Sequence, residues 1–298
     1  MITNYHTLKY LIQSVKPKLA GSVVIEAFTQ EKDTLHINLE KVDEFTLELN
    51  ATGQGYIFLR PKLERARKNS VDIFPEIFGD KIVDAGIHKA DRVIEISMRS
   101  GLKLLFQFFT GKVNFFLVSG DYEIISSFKS PKEFEGKKFE FEKSESNYDL
   151  MVGNFEEFKK AWESVQLQNP VQKLIKVVDS VDALLAKEIL HRSGGISVEK
   201  IWNELRNLDL ELKNPKPRIY YDGIFPRYFS IVEMTHINNL KKVEFDDIND
   251  AIRRFVIESK VSKSFYDEKR AIEDKLKNLY EKTIRTIEKI NEEISENQ

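Results

Sequence analysis

At 298 residues, with 41% hydrophobic and 32% charged side chains, the chain is long enough for about two domains and too apolar to be disordered throughout. The absence of cysteine excludes disulfides, thiolate metal sites and cysteine nucleophiles, and a formal net charge of −2 argues against nonspecific wrapping of duplex nucleic acid, which phosphate neutralisation drives. No apolar run reaches the roughly 18 residues of a membrane span, and the opening Met1-Ile2-Thr3-Asn4-Tyr5-His6 has no basic stretch leading into an apolar core, so a cytoplasmic location is expected.

In chain order, a helix is predicted over residues 5–19, followed by short alternating or apolar runs at 23–28, 35–39, 45–49 and 56–59 whose β-branched and aromatic content reads as strands. The next segment, 60–70, carries Arg60, Lys62, Arg65, Arg67 and Lys68, opposed locally only by Glu64, and is a candidate phosphate-binding patch or a solvated loop. Residues 71–78, interrupted by Pro75, allow at most a short helix. A second strand series follows at 81–87, 92–98, 102–109, 113–118 and 123–128, with turns marked by Ser100-Gly101, Thr110-Gly111 and Ser119-Gly120-Asp121. Nine short strands so spaced suggest an antiparallel sandwich or barrel, and core packing accounts for most of the phenylalanines.

Near residue 155 the period turns helical, with Phe155, Phe158, Ala161, Trp162 and Val165 on one face until Asn169-Pro170 breaks the run. Helices at 171–178 and 182–191 follow, the second with Asp182 as N-cap and Ser193-Gly194-Gly195 as stop. The pair has the shape of a helix-hairpin-helix, a phosphate-holding motif, but it lacks the hairpin glycine, and Asp179 and Asp182 would repel a phosphate, which favours a structural pair. After the linker Lys213-Asn214-Pro215-Lys216-Pro217, residues 218–221 and 228–234 read as a hairpin returning to the β region, and 246–259 as a helix. Ile272, Leu276, Tyr280, Ile284, Ile287, Ile290 and Ile294 then recur every three or four residues, an amphipathic coiled-coil arm that finds no partner in the chain and is expected to be cut from something longer.

Enzyme signatures are scarce. There is no Gly-x-Gly-x-x-Gly, Walker loop or His-Glu-x-x-His, and the five histidines have no metal-ligand spacing, so no catalysis, cofactor or metal is expected.

Three stretches carry a resemblance: Lys16-Pro17-Lys18-Leu19-Ala20-Gly21-Ser22, His88-Lys89-Ala90-Asp91-Arg92-Val93-Ile94-Glu95-Ile96 and Phe109-Thr110-Gly111-Lys112-Val113-Asn114-Phe115. In this setting the chain resembles the NFACT family, also called FbpA, which includes RqcH-type ribosome quality-control factors. The resemblance implies an α+β fold: an antiparallel β-rich domain like the N-terminal domain of Fpg/MutM glycosylases at 1–154, a helix-hairpin-helix-like part at 155–212, a return segment at 213–258 packing on the first domain, and a truncated coiled-coil arm at 259–298. Glycosylase chemistry is not carried over, because the chain begins Met1-Ile2-Thr3 where those enzymes use an N-terminal proline, and it lacks the cysteines of their zinc finger.

The resemblance further implies tRNA and the rRNA of an obstructed large ribosomal subunit as partners, with the ribosome performing any C-terminal tailing of the stalled peptide. Asp91 and Arg92 align with the family's tRNA-contacting pair, and Asn4 falls where the family has an acidic residue. In a regular strand adjacent side chains would point to opposite faces. Two alternatives are a surface fibronectin-binding adhesin and an RNA-binding member without tailing activity.

Overall fold

The computed structural model describes residues 2–53, 55–89, 91–109, 111–142 and 145–296. Ala90 and Thr110, quoted in two motifs above, the last two positions and the side chain of Ile294 lie outside the described residues.

Helix α1 (Tyr5–Leu19) buries Leu8, Leu11, Ile12, Val15 and Leu19, the face set by its three-and-four spacing. At its C-terminus Lys41 Nζ donates to the carbonyls of Pro17 (2.8 Å) and Ala20 (2.7 Å), answering groups that a helix end leaves open. Strands β1 (Val23–Glu31), β2 (Thr34–Glu40), β3 (Glu44–Asn50), β4 (Tyr56–Pro61) and β5 (Val71–Asp72) form one antiparallel sheet in the order β4-β3-β2-β1-β5. Strands β6 (Ile82–Ile87), β7 (Val93–Met98), β8 (Lys103–Gln107), β9 (Asn114–Val118) and β10 (Ile124–Ser127) form a second in the order β10-β9-β8-β7-β6. The sheets join where Val23 bridges Lys81, and they share one core with α1, to which each contributes alternate residues, such as Ile37, Leu47 and Leu49 from one and Ile96, Leu104 and Phe106 from the other.

Strand β9 is buried at every position because both its faces are covered. Phe115 and Leu117 point to the shared core, while Phe116 and Val118 meet Phe139, Phe134 and Phe141 on the far side, after the short helix α2 (Pro131–Phe134). This accounts for its unbroken apolar run.

The outer face of the first sheet is also buried, but polar. Thr34, His36 and Asn38 of β2 lie beside Thr46, Glu48 and Asn50 of β3. The segment after β4 crosses this face, where Asn38 Nδ2 donates to the Leu63 carbonyl (3.1 Å) and the Leu63 amide to Thr46 Oγ1 (2.7 Å). The basic run therefore folds against carboxylates that are remote in sequence. Arg60 pairs with buried Glu48 at 2.7 Å, Lys62 with Glu44 at 2.6 Å and Arg65 with Asp72 at 2.5 Å and Glu26 at 3.6 Å. This corrects the reading that only Glu64 opposes the run; of its five cations, only the exposed Arg67 and Lys68 have no ion pair among the described residues.

A second core is helical, built by α3 (Tyr148–Gly153), α4 (Phe155–Ser164), α5 (Pro170–Val177), α6 (Ala183–Arg192) and α7 (Val198–Lys213). Strands β11 (Arg218–Asp222), β12 (Phe225–Ser230) and β13 (Lys241–Glu244) form a small sheet in the order β12-β11-β13. It stands between the cores: Ile219 and Tyr221 enter the first, Tyr220 the second. Strand β12 starts earlier than the predicted 228–234 and contains Pro226, tolerated because it is an edge strand.

Helix α8 (Ile248–Glu296) is continuous over 49 residues, roughly 70 Å at the α-helical rise. Its first turns bury Ile248, Ala251, Ile252 and Val256 in the first core, Phe225 packs on Phe265 and Tyr266 further along, and Ile272, Leu276 and Tyr280 are exposed beyond. Asn249 closes the open edge of β4, its Oδ1 accepting from the Leu59 amide (2.6 Å) and its Nδ2 donating to the Leu59 carbonyl (2.9 Å). Because both bonds are buried, Asn249→Ala is expected to cost about 1–3 kcal/mol, read as a lowered urea midpoint with an unchanged slope.

Candidate nucleic-acid interface

The site is built around the first turn of α1. Asn4 is its N-cap: Oδ1 accepts from the His6 amide (2.9 Å), and Nδ2 reaches across the chain to the Ser180 carbonyl at 3.4 Å. Ser180 is the tip of the hairpin between α5 and α6, in the left-handed conformation at φ 65°, so a serine holds the backbone that a glycine would adopt more easily. Asp182 caps α6, accepting from the amides of Leu184 (3.0 Å) and Leu185 (2.9 Å). Its carboxylate therefore fills the place an anion would take at that helix terminus, and the hairpin is a structural pair. Asp179 is tied to α3 by reciprocal bonds with Asn147 at 2.9 and 3.0 Å.

Asp91 and Arg92 come to the same place. They lie in a bend just before β7, closed by the His88 amide bonding the Val93 carbonyl at 2.9 Å, so strand alternation does not apply to them. Asp91 is 5% exposed and Arg92 half-buried. The guanidinium lies 5.9 Å from the Phe109 ring centre and its Nη1 is 3.4 Å from the Thr3 carbonyl, next to Asn4. Burial lowers the Arg92 pKa, and the carboxylates of Asp182, Glu142 and Asp91 pull it back up.

The structure thus brings Asn4, Asp91 and Arg92 together with the α5–α6 hairpin, although they are remote in sequence. It also sorts their roles. Asn4 is 6% exposed, and its amide caps α1 and ties it to the α5–α6 hairpin. Arg92 is the member that reaches solvent. The run from Arg60 to Lys68 is not part of this cluster; Arg60, Lys62 and Arg65 pair with carboxylates of the first sheet, and Arg67 and Lys68 are exposed. Sequence reasoning missed Lys9 and Lys89, exposed cations with no ion pair among the described residues. Nothing local marked them, since the cavity they line exists only once α1, α3 and α7 are assembled.

Among the described residues no group of three or more histidines or carboxylates could hold a metal ion, and no helix is long and apolar enough to cross a membrane.

The family model of the NFACT N-terminal and middle domains matches residues 5–298. The chain belongs to the NFACT family. Two solved structures share the fold of this NFACT chain. The fibrinogen-binding protein from Staphylococcus aureus superposes with a TM-score of 0.69 at 17% identity, covering 86% of this chain and 99% of its own. The N-terminal part of the fibronectin/fibrinogen-binding protein from Streptococcus suis gives 0.63 at 12% identity, covering 84% and 97%. Among curated proteins none matches. The match to the family spans both cores and helix α8, so the fold that sets the Arg92 cluster against the hairpin is the NFACT fold.

Proposed function

We propose that this NFACT chain is a non-catalytic RNA-binding factor that holds tRNA at an obstructed large ribosomal subunit. The observation that carries the reading is the convergence of Arg92, Asp91 and Asn4 on the α5–α6 hairpin, where a half-buried guanidinium is held in place by an aromatic ring and a carbonyl. A guanidinium so held can meet a phosphate or a base edge with two parallel hydrogen bonds, and its fixed position lowers the entropic cost of doing so. The chain's net charge of −2 requires binding through such a local site rather than a diffuse field. Arm α8, braced by Phe225, gives the reach to touch a large assembly while the two cores hold the tRNA.

Purified chain should bind tRNA in a fluorescence titration, and Arg92→Ala should weaken it about 10- to 100-fold, the loss of one good bidentate contact of about 1–3 kcal/mol. Equal affinity of the variant removes Arg92 from the contact. Tailing is a separate matter, because Asn4 stands where the family has an acid and acts here as a cap; mass spectrometry of stalled peptides reads it independently. The two structural neighbours carry names that describe fibrinogen or fibronectin binding, and fractionation separates that reading: protein confined to the cell surface and absent from ribosomal fractions sinks the RNA proposal.

A further inference from the structure

A cavity of about 710 Å³ opens between α1, α3, α7 and the turn that carries Lys89 and Arg92. Its size lies within the roughly 300–1,000 Å³ of small-ligand sites. Its lining combines three kinds of group. The half-buried rings of Tyr5 and Tyr10 give flat apolar surface, Lys9 and Lys89 are cations without an ion pair among the described residues, and Glu145, Asp149 and Asp209 are acceptors. Asp209 is held by the Tyr148 hydroxyl at 3.3 Å and by Lys213 at 3.0 Å. His6 forms part of the wall; it is 8% exposed, its ring lies 4.8 Å from that of Tyr148, and its Nε2 is buried with no hydrogen-bond partner among the described residues.

This mixture selects among ligands. An apolar molecule would strand the three lysines and three carboxylates of the lining, and a simple anion would meet Glu145, Asp149 and Asp209 as well as the lysines. A nucleotide has a part for each group: a base face for a tyrosine ring, exocyclic amines or ribose hydroxyls for the carboxylates, and phosphates for Lys9 and Lys89. The cavity also continues the Arg92 site, because Lys89 stands on the same bend and Tyr5 directly follows the cap Asn4.

We infer that this cavity takes one unstacked nucleotide of a single-stranded RNA segment, with Tyr5 or Tyr10 against the base and Lys9 and Lys89 on the flanking phosphates. The inference rests on the RNA reading above and adds a subsite to it. The bases of a duplex are paired and stacked and cannot enter, so the site discriminates for single strands.

The test uses the full chain with a labelled single-stranded RNA of about 12 nucleotides containing 4-thiouridine, and the same strand in a duplex. Wild type is expected to bind the single strand at least tenfold more tightly than the duplex and to crosslink at Tyr5, Tyr10 or Tyr148. The Lys9→Glu/Lys89→Glu variant, whose changes are on exposed side chains and whose folding is checked by thermal melting, is expected to lose at least tenfold in single-strand affinity with a shallower salt dependence. If RNA binds and Arg92→Ala weakens it while the lysine variant binds unchanged and crosslinks fall elsewhere, the cavity inference is overturned and the RNA reading stands. If wild type binds no RNA, both fall.

Discussion

Glu188→Ala is expected to lower the stability of the chain by about 2–3 kcal/mol, the order of the loss when a buried carboxylate that accepts several charge-assisted hydrogen bonds is removed. Glu188 is 0% exposed in α6 and joins that helix to the segment after β12. Its carboxylate accepts from the Thr235 amide (2.9 Å) and hydroxyl (2.7 Å), the His236 amide (3.1 Å) and the Arg192 Nε (2.6 Å), and lies 2.6 Å from His236 Nδ1. Alanine takes the acceptor from the Thr235 amide and hydroxyl and from the His236 amide and ring, which lie at the half-exposed rim of the network, while Arg192 keeps Glu211 and the Glu233 carbonyl. Burial pushes the Glu188 pKa up, but the His236 ring, the Thr235 amide and Arg192 outweigh it and hold the group at about 2. A depressed carboxylate stabilises the fold above its unfolded pKa of about 4.5, and that contribution is lost as pH falls from there toward about 2. Urea titrations at pH 7 and pH 3 check both parts: a loss under 1 kcal/mol at pH 7, or an equal gap between variant and wild type at the two pH values, contradicts the assignment.

The second large effect is an acid sensitivity at higher pH, set by His6. Burial, aided by the charge of Lys9, lowers its pKa to about 4 against the opposing pull of Asp182 and Asp209. Between about 6.5, the ordinary histidine value, and about 4, the unfolded chain takes up a proton that the folded chain refuses, so stability falls as pH drops through this window. The full window is worth about 3 kcal/mol at about 1.4 kcal/mol per unit. His6→Phe keeps an aromatic ring against Tyr148 and removes the titration. Its unfolding free energy should decline less steeply than that of wild type between pH 6.5 and pH 4.5, the remaining slope belonging to His36, whose pKa burial also lowers; parallel curves would place the acid sensitivity elsewhere. The window lies above that of Glu188, so the two separate in one pH series.

Elements whose cause is local were legible in the sequence. The spacing of α1, the alternation of β2 and β3, the Asp182 cap and the periodicity of α8 all followed from neighbouring residues. Elements stabilised from a distance were not. Strand β5 has two residues, both exposed, and β13 reads Lys-Lys-Val-Glu, so each is a strand only because β1 or β11 offers it a partner. The run from Arg60 to Lys68 looked like a patch because its counter-charges, Glu26, Glu44, Glu48 and Asp72, come from other strands. At the candidate site the residues Asn4, Asp91 and Arg92 could be named, but not that two of them are buried. Lys9 and Lys89 had no local signal at all, since a cavity between α1, α3 and α7 exists only once both cores are assembled.

The most direct test of the central claim is sequencing of RNA crosslinked to the chain in cells, from large-subunit sucrose fractions, for wild type and Arg92→Ala expressed at equal levels. The account predicts tRNA enriched with wild type and reduced at least tenfold with Arg92→Ala, with both proteins shown by thermal melting to be folded at the temperature of the experiment. Equal tRNA recovery from the two, or wild type that carries no tRNA at all, contradicts it.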